Sequence, residues 1–167
     1  MVKIVKDIFI ESINNQIIKI LKQSEGWYFG YDSMKRENYD DQGLALRTFS
    51  DEKNPKLYDQ YQSLNLFAFM VVELVTKQLK ISYKSIKRVN YNFYHTLSKG
   101  NYHIDTNTPK CVSILYNLNK NNGYTEIDGQ KYLSNQSVAY VFDSNIKHRG
   151  VGSDTELRYN LNIILQT

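Results

Sequence analysis

The run Arg88-Val89-Asn90-Tyr91-Asn92-Phe93-Tyr94-His95 decides the fold. Val89, Tyr91 and Phe93 alternate with Asn90, Asn92 and Tyr94, the period of two that marks a strand with two unlike faces. Further short β-rich runs follow it at residues 111–118, 137–142 and 158–165, with turns between them. Asp128-Gly129, set between residues 124–127 and 130–133, is a two-residue hairpin signal.

Upstream of this run the pattern changes to helical spacing. Leu57, Tyr61, Leu64, Phe67, Ala68, Val71, Val72, Val75 and Leu79 trace one broad apolar face of a long helix, entered just after Pro55. Ile10, Ile13, Ile17 and Leu21 predict an earlier helix that ends near residues 24–26. Residues 30–56 keep no period and are expected to form a long irregular excursion with one short strand at residues 45–49. Loops of that length are usually functional lids or disordered, and this one, rich in charged and aromatic residues, is expected to serve as a lid or substrate wall. Helices over residues 1–85 followed by strands over residues 86–167 predict an α+β, mainly β fold, a sandwich or jelly roll with a helical buttress.

A length of 167 residues suits a single domain with a real core. The longest apolar stretch, residues 64–75, is interrupted by Asn65 and Glu73 and falls short of the roughly 20 residues a membrane helix needs. The first residues lack the apolar block and cleavage site of a signal peptide, so a cytoplasmic protein is expected. The one cysteine, Cys111, sits in an apolar run, agrees with a reducing compartment and reads as a small buried hydrophobe. Lys77, Lys80, Lys84, Lys87 and Arg88 form the densest basic cluster of a chain with net charge +4. No nucleic-acid motif accompanies it, so a solvated face is expected and a nucleic-acid partner is not.

The chemistry-bearing residues fall after the first strand of the series. His103-x-Asp105 follows Gly100-Asn101, His148 lies in the turn-like stretch after Asp143, and Arg158 opens the last strand. Two imidazoles and one carboxylate can occupy one face of a metal and leave the other open, the ligand set of non-haem Fe(II) oxygenases. A downstream arginine offers a planar fork for one end of a dicarboxylate whose other end chelates the iron. Each element alone is weak: a lone histidine in a turn is usually an exposed loop residue, and a strand arginine usually a surface charge. His95, the third histidine, has no evident partner in the pattern.

The joint arrangement resembles the 2-oxoglutarate- and Fe(II)-dependent dioxygenases, and among them the prolyl-hydroxylase type. Asn92-Phe93-Tyr94 is similar to that family's Asn-x-Tyr on the strand before its His-x-Asp. Residues 111–119, Cys-Val-Ser-Ile-Leu-Tyr-Asn-Leu-Asn, resemble its strand ending in a Tyr-Leu-Asn-like run. Asn122-Gly123-Tyr124-Thr125-Glu126 resembles its Gly-Gly-x-Thr/Leu turn. The likeness spans residues 88–165.

The resemblance implies a double-stranded β-helix (a cupin-like jelly roll) with Fe(II) on His103, Asp105 and His148. It also implies 2-oxoglutarate and O2 as co-substrates, the far carboxylate held by Arg158 with Tyr94, Asn92 or Asn117. Two departures stand out. Asn117 occupies a position where prolyl hydroxylases often place a tyrosine. Arg158-x-Asn160 matches the start of the Arg-x-Asn-x-x-x-Arg of nucleobase demethylases, but Ile164 replaces the second arginine, which argues against nucleic-acid repair. The expected reaction is hydroxylation of a C–H bond with release of succinate and CO2. A protein side chain such as proline leads as substrate, with a free amino acid or other small metabolite as alternative. The competing classes are a cupin-like metal-binding protein without oxygenase activity and a nucleic-acid module built on the basic cluster.

Overall fold

The computed structural model describes residues 1–29, 43–51 and 60–167. Most of the expected excursion, with Pro55 and Leu57, lies outside the described residues. The elements run β1 (Lys3–Val5), α1 (Glu11–Gln23), β2 (Tyr28–Phe29), β3 (Gly43–Ser50), α2 (Gln62–Leu79), β4 (Ser85–Tyr94) and β5 (Cys111–Asn117). They continue as β6 (Tyr124–Ile127), β7 (Gln130–Leu133), β8 (Ala139–Asp143), β9 (His148–Val151) and β10 (Arg158–Gln166). A seven-stranded antiparallel sheet has the order β1-β8-β5-β10-β4-β3-β2, and a smaller sheet the order β7-β6-β9. Two isolated bridges, Lys99 with Val151 and His103 with His148, lay the segment before β5 against β9. This is the double-stranded β-helix architecture, with the helices on one side.

The alternation in β4 explains the layering. Val89 and Tyr91 point to one side and are fully buried with Leu161 and Ile163 of β10, Ile114 and Tyr116 of β5, and Leu64, Phe67, Val71 and Val75 of α2. At roughly 2 kcal/mol per fully buried aliphatic side chain, this helix-backed face holds most of the apolar stabilisation. A second, smaller apolar cluster (Leu115, Ile127, Val138, Tyr140 and Phe142) lies between the two sheets. Lys80, left-handed at φ 54°, ends α2 and turns the chain toward β4. Asp128 (φ 49°) and Gly129 (φ 75°) both take positive φ, as a type I′ hairpin turn demands, and join β6 to β7 as expected.

Two expectations need correction. The helical buttress expected over residues 1–85 adds more strand to the large sheet than expected: β1 pairs with β8 at one edge, and β3 and β2 extend it beyond β4. A three-residue strand is shorter than any periodic window, and β3 is longer than the short strand expected at residues 45–49. The inward stripe of α1 also differs. Ile10 and Ile13 are exposed, while Asn14 is fully buried beside Ile17 and Leu21. The Tyr116 hydroxyl donates to Asn14 Oδ1 at 2.6 Å, and satisfying that buried phenol draws the amide inward.

Candidate metal centre and its polar cleft

The other side of β4 and β10 is buried too, but it is polar. Asn90 faces Asn162, Asn92 faces Asn160, and Tyr94 faces Arg158 across the ladder. All six side chains are buried. The small sheet covers them and brings His148 toward the segment that carries His103 and Asp105.

The ligand atoms of His103, Asp105 and His148 all lie within 4.8 Å of one another. The two histidine residues exchange backbone N–H···O bonds, both 2.9 Å. Their rings then lie with centroids 4.4 Å apart. His148 Nδ1 sits 2.9 Å from Ile146 O, and His103 Nδ1 sits 3.0 Å from Asn101 O. A carbonyl only accepts, so each Nδ1 carries the proton and, in a neutral ring, the lone pair lies at Nε2. Burial holds His148 below the ordinary imidazole pKa despite the pull of Asp105, which keeps the ring neutral. Its Nε2 faces Asp105 Oδ2 at 3.6 Å, two electron-rich atoms at a spacing that a cation between them would relieve.

Asp105 has a fully buried side chain. Burial alone would raise its pKa, but His148, Arg88, His103 and the Ser113 hydrogen bond outweigh it and hold the carboxyl below the usual range. Arg88 Nη2 donates to Oδ1 at 2.8 Å, Ser113 Oγ to Oδ2 at 2.5 Å, and Asn162 Nδ2 to both oxygens at 3.3 and 3.1 Å. A carboxylate held by three donor groups keeps a fixed orientation beside the two imidazoles. The donor set of two imidazoles and one carboxylate therefore fits Fe(II).

Arg158 is fully buried. It donates to Tyr124 O at 2.8 Å, Val151 O at 3.2 Å and Thr125 Oγ1 at 2.7 Å, and its guanidinium lies 5.1 Å over the Tyr94 ring. Two glycines make room for this pair. A Cβ on Gly123 would come within 2.9 Å of Arg158 Cδ, and one on Gly150 would overlap the Tyr94 ring. Asn160, two residues along the same face, accepts from Asn92 at 2.8 Å, while its Nδ2 is buried with no hydrogen-bond partner among the described residues. A buried donor left over in this way suits an oxygen-rich ligand, so the cleft fits 2-oxoglutarate as well. Arg158 and Asn162 are four residues apart on one face, about 13 Å along the strand, a span that an arginine side chain and a five-carbon diacid can bridge together.

Asn117 stands opposite Asn160 across the β5–β10 ladder. Asn117 spends its amide on Val138 O (3.2 Å) and accepts from Ser134 Oγ (3.2 Å), at the Arg158 end of the cleft. His95 is exposed, packs against Phe93 and stands apart from the ligand cluster. Arg88, expected within a solvated basic face, lies instead against Asp105. Ser113, Asn162, Thr125 and Asn160 were not among the expected site residues. Their signal was present in the period-two placement of polar residues inside apolar strands.

No protein-family model matches the sequence, and neither does any curated protein. Solved structures do match. A prolyl-4-hydroxylase from Pseudomonas putida superposes with a TM-score of 0.70 at 13% identity, covering 99% of this chain and 92% of that one. A prolyl hydroxylase from Trichoplax adhaerens, in complex with a hypoxia-inducible-factor peptide fragment, gives 0.72 at 15% identity, covering 99% and 83%. The epimerase SnoN of nogalamycin biosynthesis, in complex with Fe3+, α-ketoglutarate and nogalamycin RO, gives 0.70 at 7% identity, covering 99% and 78%. With its His-Asp-His cluster and buried arginine on one cleft, the chain has the fold of the 2-oxoglutarate- and Fe(II)-dependent oxygenases.

Proposed function

We propose that the chain is a single-domain Fe(II)- and 2-oxoglutarate-dependent dioxygenase that hydroxylates a C–H bond. His103, Asp105 and His148 would hold the iron, and Arg158, with Tyr94, Asn92 and Asn160, would hold the far carboxylate of 2-oxoglutarate. Asn117, engaged by Ser134 and Val138, would shape that end of the cleft. Iron, 2-oxoglutarate and O2 together supply the oxidising chemistry, with succinate and CO2 released alongside the hydroxylated product.

The protein's own contribution is positional. Asn101 O and Ile146 O fix the imidazole tautomers, Arg88, Asn162 and Ser113 fix the carboxylate, and the overlying small sheet keeps water from the buried guanidinium. The observation that carries this reading is the 3.6 Å approach of His148 Nε2 to Asp105 Oδ2, on the same cleft face that leads to a fully buried arginine. A structural metal site would close four protein ligands and has no use for such an anchor.

A protein side chain such as proline leads as substrate, supported by the peptide complex of the Trichoplax relative. A free amino acid or other small metabolite is the alternative. The free, buried Cys111 supports a cytoplasmic setting. Among the described residues no helix is long and apolar enough to cross a membrane.

Anaerobic titration with Fe(II) and 2-oxoglutarate tests the reading. A visible charge-transfer band that needs both components and vanishes in His103→Ala is expected. Metal binding without response to 2-oxoglutarate would indicate a non-oxygenase metal protein instead.

A further inference from the structure

Beyond Asp105 the cleft opens into a cavity of about 240 Å3 bounded by Arg47, Ser50, Lys87, Arg88, Asp105 and Cys111. Three cations line or rim it. Lys87 is paired with Asp51 at 2.6 Å and Arg88 with Asp105 at 2.8 Å. Arg47 differs. Its Nε donates to the neutral Asn90 Oδ1 at 3.2 Å, and among the described residues no carboxylate lies within ion-pair distance of it. Asn90 is fully buried, and its Nδ2 has no hydrogen-bond partner among the described residues. A guanidinium that lines a cavity and is held only by a neutral amide calls for an oxygen acceptor that carries negative charge.

The position suits a substrate. Arg47 faces Asn90, Asn90 faces Asn162, and Asn162 donates to Asp105. Strands lie roughly 4.8 Å apart, so this row puts Arg47 about 10 Å from the strand position that supports the metal ligand. It is a different row from the 2-oxoglutarate anchor. Arg158 faces Tyr94, which faces Gly43, four residues from Arg47 along β3 and about 13 Å away.

We propose that Arg47, held in place by Asn90, binds a carboxylate of the substrate and so sets which carbon is presented to the metal centre. The inference rests on the dioxygenase reading for its role, but the anion site is testable without it. The carboxylate belongs either to a free small acid or to an acidic residue within a peptide. A cavity below the roughly 300 to 1,000 Å3 of drug-sized sites accepts only a small group in either case.

The test is a nuclear magnetic resonance titration of the metal-free protein with N-acetylglycine and with a capped Gly-Glu-Pro peptide. The expected result is saturable movement of the Arg47 Nε–H and Asn90 side-chain amide signals. Affinity should fall at least tenfold in Arg47→Gln and partly recover in Arg47→Lys, which also controls for folding. Response to N-acetylglycine identifies a free acid, and response to the peptide alone identifies an acidic residue. No movement with either probe, or equal affinity in Arg47→Gln, overturns the proposal. The iron and 2-oxoglutarate band, read separately on native protein, distinguishes that failure from failure of the dioxygenase reading.

Discussion

The two faces of the large sheet are built from the same strands and obey opposite rules. Val89, Tyr91, Leu161 and Ile163 point toward the helices and form a dry, apolar core, while Asn90, Asn92, Asn160 and Asn162 point into the cleft. Both faces are buried. The helix side buries only scattered amides such as Asn14 and Asn65, each with a hydrogen bond, whereas the cleft side lines up four. Each unsatisfied polar atom costs about 1 to 3 kcal/mol. Asn90 Nδ2, Asn160 Nδ2 and Asn162 Oδ1 are left in that state among the described residues. One side of β4 and β10 thus packs the core, and the other gathers the polar groups of the proposed ligand cleft.

Breaking the cleft side should abolish chemistry. Asp105→Ala is expected to eliminate succinate production, measured by product assay at saturating iron. Full retention would remove the metal assignment. Breaking the helix side should do the reverse. Leu161→Ala is expected to lower unfolding stability by about 2 to 5 kcal/mol in urea while the folded fraction keeps its charge-transfer band. Arg158→Ala is expected to weaken 2-oxoglutarate binding by roughly 10- to 100-fold, the worth of hydrogen bonds to a charged group, as read by titrating the band.

Asn160→Leu sharpens the comparison further. Loss of the bond from Asn92 and relief of the leftover donor should nearly offset, leaving stability within about 1 kcal/mol while 2-oxoglutarate binding weakens several-fold. The smallest effect concerns pH. His148, held low by burial, and Asp105, held low by its cationic neighbours, both bind fewer protons folded than unfolded. Stability of the metal-free protein should therefore fall as pH drops below about 6.5, and again below about 4. Thermal midpoints across that range, with the first decline blunted in His148→Gln, check the sign.

The strands of the second half, the DG hairpin and the ligand set were legible because each rests on a local pattern: period two, a dipeptide turn, or rare residues at fixed spacing. The partners of those ligands were less legible. Arg88 reads as one more charge in a basic run, and only the fold turns it onto Asp105, 17 residues away. Asn14 broke the helical stripe because its partner, Tyr116, lies 102 residues further on. β1 was hidden because three residues carry no period, and its strand character comes from the β8 edge it covers.

The reciprocal backbone pair between His103 and His148 bears on how this gene can vary. Side chains along paired strands alternate between faces, so one inserted or deleted residue near either partner would send an imidazole to the wrong side. Substitutions around the pair can be absorbed, but changes in length cannot. Chain lengths at residues 100–105 and 146–150 should thus stay constant across related genes, while the residue types between the ligands drift.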